Sequence, residues 1–179
     1  DDAPVQVIDF TDGLGDLRRG VVRVTSDGAF IEDGARLLRA VRIAAELGFT
    51  IEPGTAALMR RDASFLDPVA RERVRDELCR ILMAPAPADS LRLLDDAGLL
   101  TAIVPELGAA RGVEQPKEHY WDVLQHSIET VAAVERVLRR IPGPDPVTDS
   151  LPWDEATVAY FDEEVAGGHT RTLTLKLAA

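Results

Sequence analysis

Helical spacing of apolar residues runs through most of this 179-residue chain and limits it to a mainly helical fold. The clearest face repeats at intervals of three and four residues and comprises Leu37, Ala40, Val41 and Ala44. Gly48 predicts the end of that helix, and Asp67 with Pro68 predicts the start of the next, through about residue 83. Further helices are predicted over 89–97, 120–140, 153–166 and 170–179, with a short one before Pro105.

Strand-like sequence is confined to the N-terminal end. Residues 5–10 and 20–25 are predicted to be strands, and the residues 11–16 between them have turn-forming composition. We expect a hairpin or the edge of a sheet there. The predicted fold class is therefore mainly α, with a short N-terminal β-strand remnant followed by an all-helical body.

The charge of the chain is unevenly distributed. The net charge of −11 argues against binding nucleic acid by bulk attraction. Residues 17–83, however, hold 12 Arg and no Lys against 10 acidic residues. Arginine suits planar, bidentate contacts with phosphates and base edges, although a GC-rich genome also produces this preference. The acidic surplus lies mostly in the C-terminal helices, where we predict no nucleic acid to bind.

The sharpest local pattern is Glu32-Asp33-Gly34-Ala35-Arg36. On a helix, Asp33 and Arg36 lie one turn apart on one face, which places a carboxylate acceptor beside a guanidinium donor. Such a pair can contact the edge of a nucleobase. In the simpler interpretation, Asp33 caps the helix, Glu32 favours the helix N-terminus and Arg36 is exposed to solvent.

Two segments resemble class II tRNA nucleotidyltransferases and bacterial poly(A) polymerases. They are DLRRGVVR at 16–23 and EDGARLLRAVRIAAELGF at 32–49, and the second is quite specific. The resemblance continues through 72–78 and 99–107 and covers roughly residues 5–140. It implies extension of RNA 3′ ends, by CCA on tRNA or by A residues, with ATP and CTP as substrates and Mg²⁺ as cofactor.

The resemblance also assigns roles to individual residues. Selection of the incoming nucleotide, by hydrogen bonds that mimic Watson–Crick pairing, is assigned to Glu32, Asp33, Arg36 and Arg39. Coupling of a head domain to a neck domain is assigned to Asp16 and Arg23. Support of the nucleotide-selecting helix is assigned to Glu72, Arg73 and Glu77.

Two positions depart from the family pattern. The usual paired glycines occur here as Gly13-Leu14-Gly15, which affects the expected hinge. Gly34 stands where a proline often follows the aspartate, and this glycine is expected to loosen the helix start by about 1 kcal/mol.

The catalytic features of this family are not visible in the sequence. Two-metal phosphoryl transfer needs two carboxylates and a phosphate-binding Gly-Ser turn, which we expect upstream of Asp1. We therefore predict no catalytic or metal-binding residue here and no activity for this segment alone. The implied division is the C-terminal edge of the head at 1–31, an RNA- and nucleotide-binding neck at 32–107, and the truncated start of an HD-like helical body at 108–179.

The histidines do not form a metal site in the sequence. His119 and His126 are separated by about 10 Å of helical rise, too far for one ion. His126 resembles the first ligand of an HD metal-dependent phosphohydrolase domain, but no His-Asp dipeptide follows it. We predict that His126 is half-buried or lies on a helix surface, and we identify no partner for His169.

Other side chains at helical spacing are predicted to be structural. Cys79 lies among apolar residues and is predicted to be core. The same prediction, in preference to stacking on RNA, is made for Tyr120, Trp121, Trp153, Tyr160 and Phe161. The acidic run at 162–164 is predicted to be a solvated helix face.

Two other functional classes remain open on the sequence alone. One is a helical scaffold or interaction module without a nucleotide role, and the other is the neck of an HD-domain phosphohydrolase. No run of about 18 apolar residues and no export leader occurs, so we expect a cytoplasmic protein without a membrane partner. The expected partners are an RNA 3′ end and a nucleoside triphosphate, and the oligomeric state is undetermined.

Overall fold

The computed structural model describes residues 7–113, 120–140 and 150–179. The helices in this part of the chain are α1 Gly13–Arg19, α2 Ala29–Glu32, α3 Ala35–Leu47, α4 Pro53–Arg61, a 3₁₀ turn at Ala63–Leu66, α5 Arg71–Met83, α6 Pro87–Asp96, α7 Leu99–Ile103, α8 Leu107–Ala110, α9 Val123–Leu138, α10 Glu155–Asp162 and α11 Arg171–Ala178. The strands are β1 Val21–Val22, β2 Thr50–Ile51, β3 Glu164–Ala166 and β4 His169–Thr170. The predicted mainly helical class is confirmed.

Of the two N-terminal arrangements that were predicted, a hairpin or the edge of a sheet, the hairpin is wrong. Much of the expected turn forms helix α1, because the Asp9 carboxylate accepts hydrogen bonds from the backbone N–H groups of Gly13 and Leu14 at 2.9 and 2.8 Å. Strand β1 pairs in parallel with β2, with Val21 opposite Thr50. Residues 7–12 form no strand, and residues 5 and 6 lie outside the described ranges. The strand partner comes from a distant segment, which local turn composition does not encode.

Helix α3 is the centre of the fold and packs on α5 and α6. Its predicted apolar face is buried, which confirms that prediction for Leu37, Ala40, Val41 and Ala44. The helix ends at Gly48, whose φ of +66° lies in the left-handed region that glycine adopts without a Cβ clash. The fully buried Leu37 contributes roughly 2 kcal/mol of hydrophobic free energy.

Several predicted helix boundaries shift in the structure. Helix α5 begins at Arg71 and not at Pro68. The backbone N–H groups of Asp67 and Val69 donate to the backbone oxygens of Ser64 and Leu66, so these residues form a turn that follows the 3₁₀ segment. Pro87 is the first residue of α6, where proline's missing N–H costs nothing. The helix predicted over 153–166 is shorter, and the chain turns at Gly167 and Gly168 to form an antiparallel β3–β4 hairpin.

The predicted burial holds for Cys79 but fails for three aromatic residues. Cys79 is buried, and this burial raises the pKa of its thiol. Tyr120, Trp121 and Tyr160 are exposed, whereas the half-buried rings of Trp153 and Phe161 stack with centroids 5.7 Å apart. The core prediction failed for Tyr160 because its helix, α10, has no fully buried residue and packs mainly on α11. The acidic run at 162–164 is exposed, as predicted, but it is not a helix face, because α10 ends at Asp162 and Glu164 begins β3.

The predicted domain boundaries at 31/32 and 107/108 stay predictions. Strands β1 and β2 pair across the first boundary, which joins the residues before it to the helical body. In the three described ranges, no helix has both the length and the apolar character needed to cross a membrane.

Candidate functional site

Asp33 lies between α2 and α3 in an extended conformation, with its carboxylate fixed from two sides. Oδ1 accepts a hydrogen bond from the backbone N–H of Ala35 at 3.1 Å, a local contact at the start of α3. Both carboxylate oxygens accept from Nη2 of Arg73, at 3.3 and 3.1 Å. Arg73 belongs to α5, so the Asp33 carboxylate joins the two central helices.

The environment of Asp33 favours its charged form. The hydrogen bond from Arg73 lowers the pKa of Asp33 below its ordinary value of 3.8, and burial opposes this shift. The carboxylate is therefore ionised at neutral pH and can only accept hydrogen bonds.

Asp33 is expected to stabilise the chain at neutral pH and to lose this effect in acid. Its pKa is lower in the folded chain, so the stabilisation is present above the unfolded value of 3.8 and is lost as pH falls through the folded-state pKa. The free energy of unfolding in urea, measured from about pH 7 to about pH 2.5, should fall further in the native chain than in Asp33→Asn. A fall of equal size in both proteins would contradict this assignment.

Arg36 lies on the first turn of α3 with part of its guanidinium left open. Nη1 donates to the backbone oxygen of Ala29 at 3.0 Å and to Oε2 of Glu32 at 2.9 Å. Among the described residues, Nε and Nη2 of Arg36 donate no hydrogen bond, and the side chain is partly exposed. Asp33 and Arg36 do not bond to each other, so one fixed acceptor and one anchored donor lie at the same helix start.

Glu77 of α5 lies between two arginines of α3. Its Oε2 accepts from Nε of Arg42 at 2.6 Å, whereas Nε of Arg39 is 3.6 Å from Oε1. Arg42 also donates to Glu46 at 2.7 Å, and Arg80 of α5 pairs with the same Glu46 at 2.8 Å. These contacts hold α3 against α5 beside the Asp33–Arg73 pair.

The sequence pattern did not single out Arg42, Glu46 and Arg80. The i, i+4 spacing of Arg42 and Glu46 is a signal that could have identified that pair. Of the three residues assigned to support α3, Glu77 contacts Arg42 of α3 and Arg73 contacts Asp33 just before it, whereas Glu72 is exposed and makes no hydrogen bond or ion pair within the described ranges. The role of Glu72 stays a prediction.

Close packing explains why position 34 is a glycine, which the sequence alone did not show. A Cβ at this position would lie 1.9 Å from the backbone oxygen of Phe65 and 3.1 Å from Cγ2 of Val69. Its φ of −59° is ordinary, so the glycine is required by close approach rather than by backbone conformation. The junction that carries Asp33 therefore packs tightly against the turn before α5.

Asp16 and Arg23 form the pair that was predicted to couple two domains. Oδ2 of Asp16 accepts from Nε of Arg23 at 2.9 Å, and Oδ1 accepts from Arg19 at 2.8 Å. These contacts, led by the hydrogen bond from Arg23, lower the pKa of Asp16. The pair borders a cavity of about 510 Å³ next to Phe49. Its coupling role stays a prediction.

Within the described ranges, neither His126 nor His169 belongs to a group that could hold a metal ion. His126 is half-buried on α9, as predicted, and His119 lies outside the described ranges. Over the residues that the structure describes, no three or more His, Cys, Asp or Glu side chains form a group that could hold a metal ion.

The chain is similar in sequence to known RNA-processing proteins. The family described as "Probable RNA and SrmB- binding site of polymerase A" matches residues 48–111. The "Multifunctional CCA protein" of Xanthomonas campestris is 45% identical over 128 residues, which cover 69% of this chain and 31% of the relative. The "A-adding tRNA nucleotidyltransferase" of Deinococcus radiodurans is 36% identical over 145 residues, which cover 78% and 33%.

Solved structures show the same fold. A tRNA nucleotidyltransferase in complex with a primer tRNA and an ATP analogue matches 74% of this chain and 35% of its own, with TM-score 0.57 and 26% identity. A CCA-adding enzyme of Thermotoga maritima in complex with tRNA matches 86% and 33%, with TM-score 0.56 and 26% identity. The chain thus spans about one third of the length of the proteins it matches. By sequence and by fold, it belongs to the class II tRNA nucleotidyltransferase family.

Proposed function

We propose that this chain supplies the base-selecting and RNA-binding part of an enzyme that adds CCA, or A residues, to RNA 3′ ends. The observation that carries the proposal is the start of α3, where an ionised Asp33 carboxylate lies near an Arg36 guanidinium with open donors. The names of the relatives favour CCA or A addition to tRNA over general polyadenylation.

An acceptor and a donor at one helix start suit the bases that such an enzyme incorporates. Cytosine and adenine each present an exocyclic amino donor next to a ring-nitrogen acceptor, whereas uracil and guanine present a carbonyl oxygen in place of the amino group. The Asp33 carboxylate would accept from the amino group, and Arg36 would donate to the ring nitrogen. Asp33 is ionised at neutral pH, and Arg73 lowers its pKa further, so its carboxylate does not donate to a carbonyl.

RNA binding is proposed for the neck, 32–107. The family match at 48–111 supports this, as do relatives solved with tRNA. The exposed side chains of Arg60 and Arg71 make no hydrogen bond or ion pair within the described residues and so can contact phosphates. The partners in this proposal are an RNA 3′ end and ATP or CTP, and the expected location is cytoplasmic.

The transfer step itself is assigned to no residue of this chain. The described residues offer no carboxylate cluster that fits Mg²⁺, so we derive no step through a metal ion. We expect this chain alone to bind nucleotide without transferring it.

A chimera tests the proposed function. We would replace the matching part of the Xanthomonas campestris relative by this chain and measure incorporation of CTP and ATP onto tRNA lacking its 3′ end. Arg36→Ala and Asp33→Ala should each lower kcat/KM by about 5- to 150-fold, since one good base-edge contact is worth roughly 1–3 kcal/mol.

The matched control is Arg75→Ala, which removes an exposed arginine of α5 that pairs only with its neighbour Asp76 among the described residues. This variant should keep its kcat/KM. Normal incorporation by Arg36→Ala would instead favour a scaffold without a nucleotide role, and metal-dependent phosphatase activity that is independent of Arg36 would favour the HD-hydrolase alternative.

A further inference from the structure

The ends of α5 and α9 border a cleft of about 350 Å³ that lies apart from the base-selecting residues. Arg80 of α5 and Arg139, which directly follows α9, line this cleft together with residues 83–85 and with Glu46 of α3. Glu46 follows Arg36 by ten residues, which corresponds to about 15 Å along the axis of α3.

Both arginines of the cleft are anchored by a carboxylate and keep hydrogen-bond donors open. Arg80 donates from Nε and Nη2 to Glu46, at 2.9 and 3.2 Å, and Arg139 pairs through Nε with Glu135. Within the described ranges, Nη1 of Arg80 and both Nη atoms of Arg139 donate no hydrogen bond. The two side chains are 58% and 46% exposed. An anchored guanidinium loses little conformational freedom when it binds a phosphate through these open donors.

The cleft carries an excess of positive charge, although the chain as a whole is acidic. Each carboxylate beside it is shared, because Glu46 also pairs with Arg42 and Glu135 also pairs with Lys176. Among the described residues in and beside the cleft, six cations accompany three carboxylates: Arg42, Arg80, Arg136, Arg139, Arg140 and Lys176, with Glu46, Glu77 and Glu135. The C-termini of α3, α5 and α9 each add roughly half a negative charge, so the excess stays positive.

Helix α9 continues this positive surface beyond the cleft. Arg136 precedes Arg139 by three residues, so both side chains project from the same side of the helix. The Arg136 guanidinium makes no hydrogen bond or ion pair with any residue that the structure describes. A row of guanidinium groups suits the repeated phosphates of a nucleic-acid backbone better than the phosphates of one free nucleotide.

We propose that the cleft between α5 and α9 binds a phosphate group of the RNA backbone, with Arg80 on one side and Arg139 on the other. This inference rests on the proposed function and adds an RNA contact on α9, beyond the neck at 32–107. The family match at 48–111 includes Arg80 but not Arg139. Sequence analysis predicted no nucleic acid on the C-terminal helices because their average charge is negative, whereas the charge at this end of α9 is positive.

The test titrates the 179-residue chain with a short RNA duplex that has a single-stranded 3′ end, and separately with ATP, at several salt concentrations. Arg80→Gln with Arg139→Gln should raise the Kd for RNA by about five- to eightfold at about 0.1 M salt. The slope of log Kd against log salt should fall by about 0.7–0.9, the change expected for one lost phosphate contact. The Kd for ATP should stay within about twofold of native.

Two further variants separate phosphate binding from a structural effect. Arg139→Lys keeps the positive charge beside Glu135 and should retain most of the native salt slope. Arg111→Gln is the matched control, because Arg111 is 52% exposed and pairs with Asp95, which is 7% exposed, much as Arg139 pairs with Glu135. Arg111 lies near the opposite end of α9, since the neighbouring Gly112 donates to Asp122. Arg111→Gln should leave the Kd for RNA unchanged.

Three results would overturn the inference. The first is a native Kd and salt slope for RNA in the double variant, and the second is an equal loss of RNA binding in Arg111→Gln. The third is a higher Kd for ATP with unchanged RNA binding, which would assign the cleft to the nucleotide.

Variants of the neck distinguish failure of this inference from failure of the proposed function. Weaker RNA binding by Arg60→Gln with Arg71→Gln, combined with native binding by the cleft variant, would remove only the cleft. Absence of RNA binding by the native chain would remove the cleft and the RNA-binding part of the proposed function together. Base selection is decided separately, by incorporation in the chimera.

Discussion

Lys176→Ala is expected to destabilise the chain by about 3–5 kcal/mol, because it leaves a buried acidic group without its main partner. The Lys176 side chain is 2% exposed, and its Nζ donates to the backbone oxygen of Leu82 at 2.9 Å. The same Nζ lies 2.5 Å from Oε2 of Glu135, whose side chain is 6% exposed. Removal of the lysine leaves the Glu135 carboxylate with only Arg139 beside it among the described residues, and a helix-end carbonyl without its donor.

A double variant separates the cost of an unpaired charge from the cost of lost packing. Lys176→Met with Glu135→Leu removes both charges and keeps apolar volume, so it should cost no more than about 1–2 kcal/mol. Both values come from urea unfolding of the 179-residue chain. If the two variants are equally destabilised, the contribution of Lys176 is packing rather than charge.

The Lys176–Glu135 pair lies where three helices meet. Lys176 belongs to α11, Glu135 to α9 and Leu82 to the last turn of α5. One buried ammonium group therefore joins the C-terminal helix to two helices of the body. The same contact sets the position of α11, from which the β3–β4 hairpin extends.

Gly34→Ala is expected to destabilise the chain by about 2–3 kcal/mol and to weaken ATP binding as well. The added Cβ would lie 1.9 Å from the backbone oxygen of Phe65, and backbone cannot move aside as a flexible side chain can. The junction between α2 and α3 would have to shift away from the turn before α5. Because Asp33 is part of that junction, its hydrogen bond from Arg73 should lengthen or break.

Gly28→Ala is the matched control for this prediction. Gly28 and Gly34 each precede a helix in an ordinary right-handed conformation, but a Cβ on Gly28 would meet only Oε1 of Glu32 among the described residues, at 3.9 Å. Gly28→Ala should therefore change the free energy of unfolding by less than about 1 kcal/mol. Similar free energies for the two variants would mean that the Phe65 contact yields easily.

Local pattern was sufficient to predict the central helix. The period of three to four residues identified the buried face of α3, and Gly48 identified its end, because both depend on near neighbours in sequence. The run at 32–49 was enough to suggest the family and to single out Asp33 and Arg36. The same apolar spacing wrongly predicted Tyr160 to be core. Spacing along the chain does not show whether a second helix covers a given helix face.

The sequence by itself determined the helical class, the central face of α3 and the family resemblance, since each depends on residue type and spacing along the chain. Only the tertiary structure decided three hydrogen bonds between distant residues. Arg73 donates to Asp33, which is 40 residues away, and Arg42 donates to Glu77, which is 35 residues away. The buried Lys176 donates to the backbone oxygen of Leu82. The physical reason is that any of the 12 arginines in residues 17–83 could pair with any nearby acid. Helix packing selects the pairs, because it sets which side chains come within hydrogen-bond distance and which lose their water.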